Sequence, residues 1–176
     1  YIYFAPGATH APHHAPKEFV DKYKGKFDQG WDKYREETFE RQKALGIVPK
    51  DAVLTTRPNE IPSWESMTPT QKKLFSRQME VFAGFAEHTD YEVGRLVESL
   101  EEMGELNNTL FIYIAGDNGA SAEGGLEGTY NEMMALNGIP GKAEQMMGHL
   151  EDWGGPGTFP HFAVGWAHAC NTPFQW

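Results

Sequence analysis

Asp117 and Asn118 lie side by side, between Gly116 and Gly119, and together they could bind a metal ion. A carboxylate and a carboxamide oxygen suit a hard cation such as Ca²⁺ or Mg²⁺. The two glycines would allow the backbone to bend and to approach the ion closely. Asp-Asn-Gly is equally favourable in an ordinary turn. The pair is therefore a candidate metal site that also has a purely structural interpretation.

Three histidines, His10, His13 and His14, fall close together in a proline-rich segment. They could bind zinc, but no cysteine accompanies them and their spacing fits no common zinc pattern. They could also donate hydrogen bonds to an anionic oxygen, or act as an acid near neutral pH. A third interpretation is a solvated polar loop. The segment itself does not indicate which histidine matters.

The carboxyl-terminal part of the sequence offers weaker candidates. His161 and His168 lie near a Gly-Pro-Gly turn, and each could be a packing, surface or functional residue. Cys170 has no general base with an orienting partner nearby, so a buried, unreactive thiol is expected. Because it is the only cysteine, an intrachain disulfide and a Cys-x-x-Cys metal knuckle are excluded.

Two apolar runs precede the two main candidate segments. Residues 1–5 are aromatic and β-branched, and residues 109–115 are continuously apolar, as expected for a strand covered on both faces. Ligands of parallel sheets bind beyond the carboxyl ends of the strands. The sequence therefore predicts an α/β fold with a mostly parallel sheet flanked by helices. His10 and the pair Asp117 and Asn118 should then face one common pocket.

Helical patterns fill much of the remaining sequence. The longest has an apolar stripe at steps of three, four and seven or eight residues, and it should run over residues 70–103 from an N-cap at Thr68 to Gly104. The rest of the tail beyond residue 150 is predicted as loop. Shorter helices are predicted over residues 16–23, 32–45, 129–138 and 142–150.

Composition limits the possible partners. The formal net charge of −10 should repel nucleic acid and anionic membranes, and no basic run opposes that inference. No apolar run approaches the ~18 residues that a membrane-spanning helix needs. Hydrophobic residues make up 40% of the chain, which is enough apolar material for a core. Neither the compartment nor the oligomeric state follows from the sequence.

The order of these segments resembles the sulfatase family. Residues 1–16 are similar to a sulfatase strand and loop, in which a segment of the form A-P-H-x-P-L-Q-A-P is common. Ungapped alignment of that pattern places the active-site histidine of the family at His10, with His13 and His14 where the family often has Leu-Gln. Similarity continues through residues 17–32, 35–49 and 79–118, so the resemblance covers most of the chain.

The resemblance implies an alkaline-phosphatase-like α/β fold and hydrolysis of a small-molecule sulfate ester. In the family four side chains hold a divalent cation, usually Ca²⁺ with Mg²⁺ as the alternative, and two of them match Asp117 and Asn118. The nucleophile is a formylglycine made within a C-x-P-x-R type motif, which the sequence around Cys170 does not match. His10 would protonate the leaving oxygen or bind a sulfate oxygen.

The resemblance also implies how much of the enzyme these residues contain. The first residues look like the middle of a strand and the last lie in an open aromatic segment, so residues 1–176 are expected to be the central part of a sulfatase catalytic domain. The nucleophile segment, two metal-binding aspartates and a sulfate-binding lysine would lie outside it. Residues 1–176 alone should then show no turnover. A phosphate or phosphonate ester hydrolase of the same superfamily and a non-catalytic relative are the alternatives.

Overall fold

A computed structural model of the chain describes residues 1–116 and 119–175. Within these residues the order of α-helices is α1 (Lys17–Asp21), α2 (Gly30–Ala44), α3 (Pro69–Glu102), α4 (Glu132–Leu136), α5 (Ala143–Met146) and α6 (Val164–Cys170). Short 3₁₀ turns lie at Trp64–Ser66, Leu106–Asn108 and Met147–His149.

Helix α3 is the longest element, and its sequence accounts for its bounds. The Thr68 hydroxyl accepts a hydrogen bond from the Gln71 backbone N–H, and the Gln71 amide oxygen accepts one from the Thr68 N–H, which completes a capping box. Pro69 occupies the first turn, where its missing N–H leaves no hydrogen bond unmade. Gly104 adopts a left-handed φ of +72° just beyond the other end. The predicted cap, start and end of this helix are confirmed.

Aromatic side chains form the centre of the core. The Trp31 ring meets those of Trp64 and Trp166 edge to face, with centroid separations of 4.8 and 5.9 Å. The Trp166 indole N–H donates to the Phe75 carbonyl at 2.8 Å, which fixes α6 to α3. A Cβ at Gly165 would approach the Trp31 ring to 2.4 Å, so only glycine fits there. Helices α2, α3 and α6 therefore meet around one aromatic cluster.

One side chain of α3 joins two later segments of the chain. The buried Gln78 amide donates to the Glu127 carbonyl at 2.8 Å and accepts from the Ala163 N–H at 2.9 Å. Beside it, Thr129 and His161 exchange backbone hydrogen bonds of 3.0 and 2.9 Å. A buried amide with both of its ends paired avoids the cost of an unsatisfied polar group. Gln78 thus holds the two segments against α3.

The predicted parallel sheet is wrong for this structure. Residues 1–5 and 109–115 carry no strand assignment, and their side chains are exposed. Over the described ranges, β-pairing is limited to two isolated bridges, Thr129 with His161 and Asn131 with Phe159. An apolar run favours burial, but a strand also needs a neighbour for its ladder hydrogen bonds. An apolar run therefore predicts burial, but it does not show that a partner strand is present. The regular elements of the described structure are mainly helices.

The tail also differs from the prediction. Helices α4 and α5 lie inside the predicted ranges but are shorter, and α6 lies where a loop was predicted. Gly165 lowers the helix propensity of α6. Packing overrides that propensity, because the α6 side chain Trp166 is fully buried in the aromatic cluster. Among the helices described, none combines the length and the apolar character needed to cross a membrane.

Candidate functional site

The exposed ring of His10 lies on the loop that follows residues 1–5. Its Nδ1 is 2.8 Å from the Ala11 carbonyl oxygen. Together with Phe4 and Phe85, His10 lines a cavity of about 400 Å³ between the loop and α3. An imidazole whose Nδ1 donates to a carbonyl keeps Nε2 available for proton exchange with a ligand.

The other two histidines of the loop are held inside the structure. His13 is 2% exposed, and its ring lies 5.0 Å from Phe82 and 4.9 Å from Phe162, centroid to centroid. Burial lowers the pKa of His13 well below its usual value, with further lowering by His161. The interpretation of this segment as a solvated loop is therefore wrong for His13, which packs as an apolar ring would.

Backbone and side-chain hydrogen bonds fasten the loop to the tail. The His13 N–H donates to the Pro160 carbonyl at 3.0 Å, and His14 Nε2 lies 2.7 Å from the Thr158 carbonyl oxygen. His14 is thus engaged with backbone, whereas the ring of His10 faces solvent and the cavity. The structure therefore shows different surroundings for the three histidines, whereas the sequence alone did not distinguish them.

Asp117 and Asn118, the candidate metal ligands, lie outside the described residues. Their neighbours Gly116 and Gly119 have left-handed φ values of +81° and +91°, which favour glycine. The Ala120 N–H donates to the Asn171 side-chain oxygen at 2.7 Å, so the chain just after the pair is fastened to the end of α6. The common pocket expected for His10 and this pair stays a prediction.

A cluster of two glutamates and one histidine forms between the later segments. One carboxylate oxygen each of Glu123 and Glu132 and one ring nitrogen of His161 all lie within 4.8 Å of one another. Glu132 begins α4 and is buried, His161 is buried, and Glu123 is exposed on the preceding loop. These residue types at this separation could hold a divalent cation.

Neither glutamate of this cluster was predicted from the sequence, because both are remote from His161 along the chain. The signal that could have found the first is the Gly124-Gly125 pair beside it. A Cβ at Gly124 would lie 2.1 Å from the Phe162 carbonyl oxygen and 2.8 Å from His161 Nδ1. Glycine therefore permits the backbone beside Glu123 to contact the histidine segment directly.

Burial and mutual charge shape the electrostatics of the cluster. Burial raises the pKa of the Glu132 carboxyl, the Glu123 carboxylate raises it further, and His10 lowers it. Burial lowers the pKa of His161, although its contact with the Phe162 carbonyl acts in the opposite direction. Two acids therefore approach each other beside an imidazole that is neutral near pH 7.

The remaining candidates of the tail are structural groups. His168 is 3% exposed, and burial lowers its pKa to about 4. Cys170 is half-buried, and desolvation raises the pKa of its thiol to about 12, which disfavours the reactive thiolate. The expectation of an unreactive thiol is consistent with this environment.

Residues 1–156 match the family model described as Sulfatase. The match covers most of the chain, and the chain belongs to the sulfatase family. The resemblance inferred from the order of sequence segments is confirmed.

Two curated relatives are similar over nearly the whole chain. An uncharacterised sulfatase of Schizosaccharomyces pombe is 30% identical, and the match covers 98% of this chain and 30% of the relative. An arylsulfatase of Klebsiella aerogenes is 30% identical, and the match covers 99% of this chain and 35% of the relative. The chain therefore spans about a third of the length of these relatives.

Proposed function

We propose that residues 1–176 are the central part of the catalytic domain of an arylsulfatase-type hydrolase that acts on small-molecule sulfate esters. The match of residues 1–156 to the sulfatase family carries this proposal. The similarity to an arylsulfatase supports the arylsulfatase type. The net charge of −10 makes nucleic acid and anionic membranes unsuitable partners.

His10 is the proposed catalytic and substrate-binding residue. Hydrolysis of a sulfate ester breaks the bond between sulfur and the ester oxygen, and that oxygen leaves more readily when it receives a proton. The His10 ring is exposed beside a cavity, and its Nδ1 is engaged by the Ala11 carbonyl oxygen. When the ring is protonated on both nitrogens, Nε2 is the atom that would give a proton to the leaving oxygen, or donate a hydrogen bond to a sulfate oxygen.

Asp117 and Asn118 are the proposed ligands of Ca²⁺, with Mg²⁺ as the alternative. Their carboxylate and carboxamide oxygens are the donor types that such hard cations prefer. The bound cation would supply positive charge to the oxygens of the sulfate group. A formylglycine, formed outside residues 1–176, would supply the nucleophilic oxygen.

The proposal is tested with the full-length protein that contains these residues and with p-nitrophenyl sulfate as substrate. The His10→Asn variant should lose about 10²–10⁴-fold in kcat, the usual contribution of a positioned proton donor. His14→Gln is the matched control, because its ring is engaged by the Thr158 carbonyl oxygen and it should keep most of the activity. Removal of Ca²⁺ by a chelator should abolish turnover, and added Ca²⁺ should restore it.

Two outcomes would overturn this assignment. Faster hydrolysis of p-nitrophenyl phosphate than of the sulfate would favour a phosphate ester hydrolase of the same superfamily. Absence of turnover on both esters, by a folded protein with Ca²⁺ present, would favour a non-catalytic relative.

A further inference from the structure

We propose that Glu123, Glu132 and His161 bind a divalent transition-metal ion of the Zn²⁺ class, in addition to the Ca²⁺ proposed for Asp117 and Asn118. One carboxylate oxygen from each glutamate and one ring nitrogen of the histidine lie within 4.8 Å of one another. This inference does not depend on the proposed hydrolysis of sulfate esters. It rests on the geometry of these three side chains, on their hydrogen bonds, and on the burial of Glu132 and His161.

The pairing of the His161 ring is the second observation that indicates a ligand. Its Nδ1 lies 3.1 Å from the Phe162 carbonyl oxygen, so the proton of the neutral ring belongs on Nδ1. Its Nε2 is buried and has no hydrogen-bond partner within the described part of the chain. Metal-bound histidines typically donate one ring N–H to a carbonyl and coordinate through the other nitrogen. A cation would give this buried lone pair a partner.

Glu123 is oriented by its own loop. The Ser121 hydroxyl donates to Glu123 Oε2 at 3.1 Å and accepts from the Glu123 N–H at 3.2 Å. Gly124, by its close approach to the Phe162 carbonyl, keeps this loop against the segment that carries His161. The exposed carboxylate is therefore oriented by the Ser121 hydroxyl, and metal ligands commonly have such a supporting hydrogen bond.

Glu132 is placed by backbone contacts at the start of α4. Its N–H donates to the Phe159 carbonyl at 2.8 Å, and its side chain is buried. Across residues 1–116 and 119–175, no lysine or arginine is among the groups that shift the pKa of its carboxyl, and the charge of His10 lowers that pKa. Two neighbouring carboxylates without a cationic partner repel each other, and a bound divalent ion would remove that repulsion.

The ligand set selects the class of metal. Ca²⁺ and Mg²⁺ prefer sites made entirely of oxygen atoms, whereas an imidazole with carboxylates suits Zn²⁺ and related transition metals. Three protein ligands leave a position for water, as in many zinc sites. The ion would tie the loop that contains Glu123 to the segment of His161, next to the bridge between Thr129 and His161.

The test measures Zn²⁺ binding to the full-length protein by calorimetry, after metal removal and with excess Ca²⁺ present. Ca²⁺ should occupy the site proposed at Asp117 and Asn118. The Zn²⁺ titration then reports binding to the cluster that contains His161. The wild-type protein should bind one Zn²⁺ at this site. The Glu123→Gln substitution should raise the dissociation constant for Zn²⁺ by about tenfold or more. Because Glu123 is exposed, that variant should keep its fold. Glu144→Gln, at an exposed position of α5, is the matched control and should bind normally.

A second measurement separates binding from nonspecific adsorption. Zn²⁺ should raise the free energy of unfolding of the wild-type protein and of the control, but much less that of Glu123→Gln. Absence of Zn²⁺ binding, or binding that Glu123→Gln and Glu132→Gln leave unchanged, would overturn the proposal. Loss of binding in His149→Gln would also overturn it, because the ion would then lie elsewhere. A protein that binds Zn²⁺ as expected but hydrolyses no sulfate ester would contradict only the proposed function.

Discussion

The two halves of α3 carry the same apolar stripe but lie in different surroundings. In the first half, Leu74, Phe75 and Val81 are fully buried, and even the polar Gln78 is inaccessible to solvent. In the second half, Leu96 and Val97 are only half-buried, and Met103, just past the helix end, is 64% exposed. The 127–132 segment and α6 contact the first half, whereas α1 crosses the middle of the helix, from Gly84 to Tyr91.

The difference shows that helical periodicity fixes which face of a helix is apolar, but not whether anything covers that face. The stripe predicts the helix correctly along its whole length. Coverage depends on elements far away in sequence, such as Trp166, whose indole N–H reaches the Phe75 carbonyl. The covered first half should therefore respond more strongly than the second to changes in side-chain volume, buried charge or backbone spacing.

The largest expected contrast comes from truncation of one leucine in each half. Leu74→Ala should lower the free energy of unfolding by about 2–5 kcal/mol, because it removes fully buried methyl groups and leaves a cavity. Leu96→Ala should cost clearly less, because the side chain is half-buried and its site stays open to water. Urea denaturation followed by circular dichroism measures both values. Equal losses would contradict the contrast between the halves.

Acid should weaken the packing of α6 against the first half of α3, because the buried His168 of α6 becomes charged at low pH. Burial and the positive charges of Arg35 and Arg57 lower its pKa to about 4, and Asp32 opposes them. A histidine with a folded pKa below its unfolded value of about 6.5 contributes its full stability above that value and loses it as pH falls toward 4. The loss should be on the order of 3 kcal/mol.

The measurement for His168 is a series of urea denaturation curves between pH 7 and pH 4. His13 and His161 are also buried with lowered pKa values, so the wild-type protein will lose stability from several groups. The difference between wild type and His168→Gln isolates the contribution of His168. An unchanged pH dependence in that variant would show that His168 does not titrate in this range.

A smaller contrast comes from the two glycines of the helix. A Cβ at Gly84 would lie 2.8 Å from the Val20 backbone, whereas a Cβ at Gly94 would meet nothing within 4 Å. Gly84→Ala should therefore lower the free energy of unfolding by about 1–3 kcal/mol, because α1 would have to move away. Gly94→Ala should raise it by about 0.5–1 kcal/mol through helix propensity. Thermal denaturation of the pair gives the sign of each change, and equal signs would contradict the close crossing of α1 and α3.

The features that the sequence predicted well depend on neighbours along the chain. Thr68 and Gly104 were predicted as the start and end signals of α3, and the helix begins and ends beside them. The parallel sheet failed because strand pairing depends on segments far apart in sequence. The same reason explains why the approach of Glu123 and Glu132 to His161 was missed. Family membership was predictable because it rests on the order of many short segments.

The sequence predicted only part of the candidate site. The structure gives His10 an exposed ring beside a cavity and buries His13, a distinction that loop composition cannot make. The position of a histidine relative to aromatic neighbours such as Phe82 and Phe162 follows from tertiary packing. The role of His10 and the metal binding of Asp117 and Asn118 stay predictions, as does the extent of the domain.

The two hydrogen bonds of the Gln78 amide connect the buried face of α3 to two other segments of the chain. Its N–H reaches the Glu127 carbonyl, four residues from Glu123, and its oxygen reaches the Ala163 N–H, two residues from His161. One side chain in the first half of α3 therefore sets the distance between these two segments. A carboxylate at this position could still accept from Ala163 but could not donate to Glu127, so it would release one segment and retain the other.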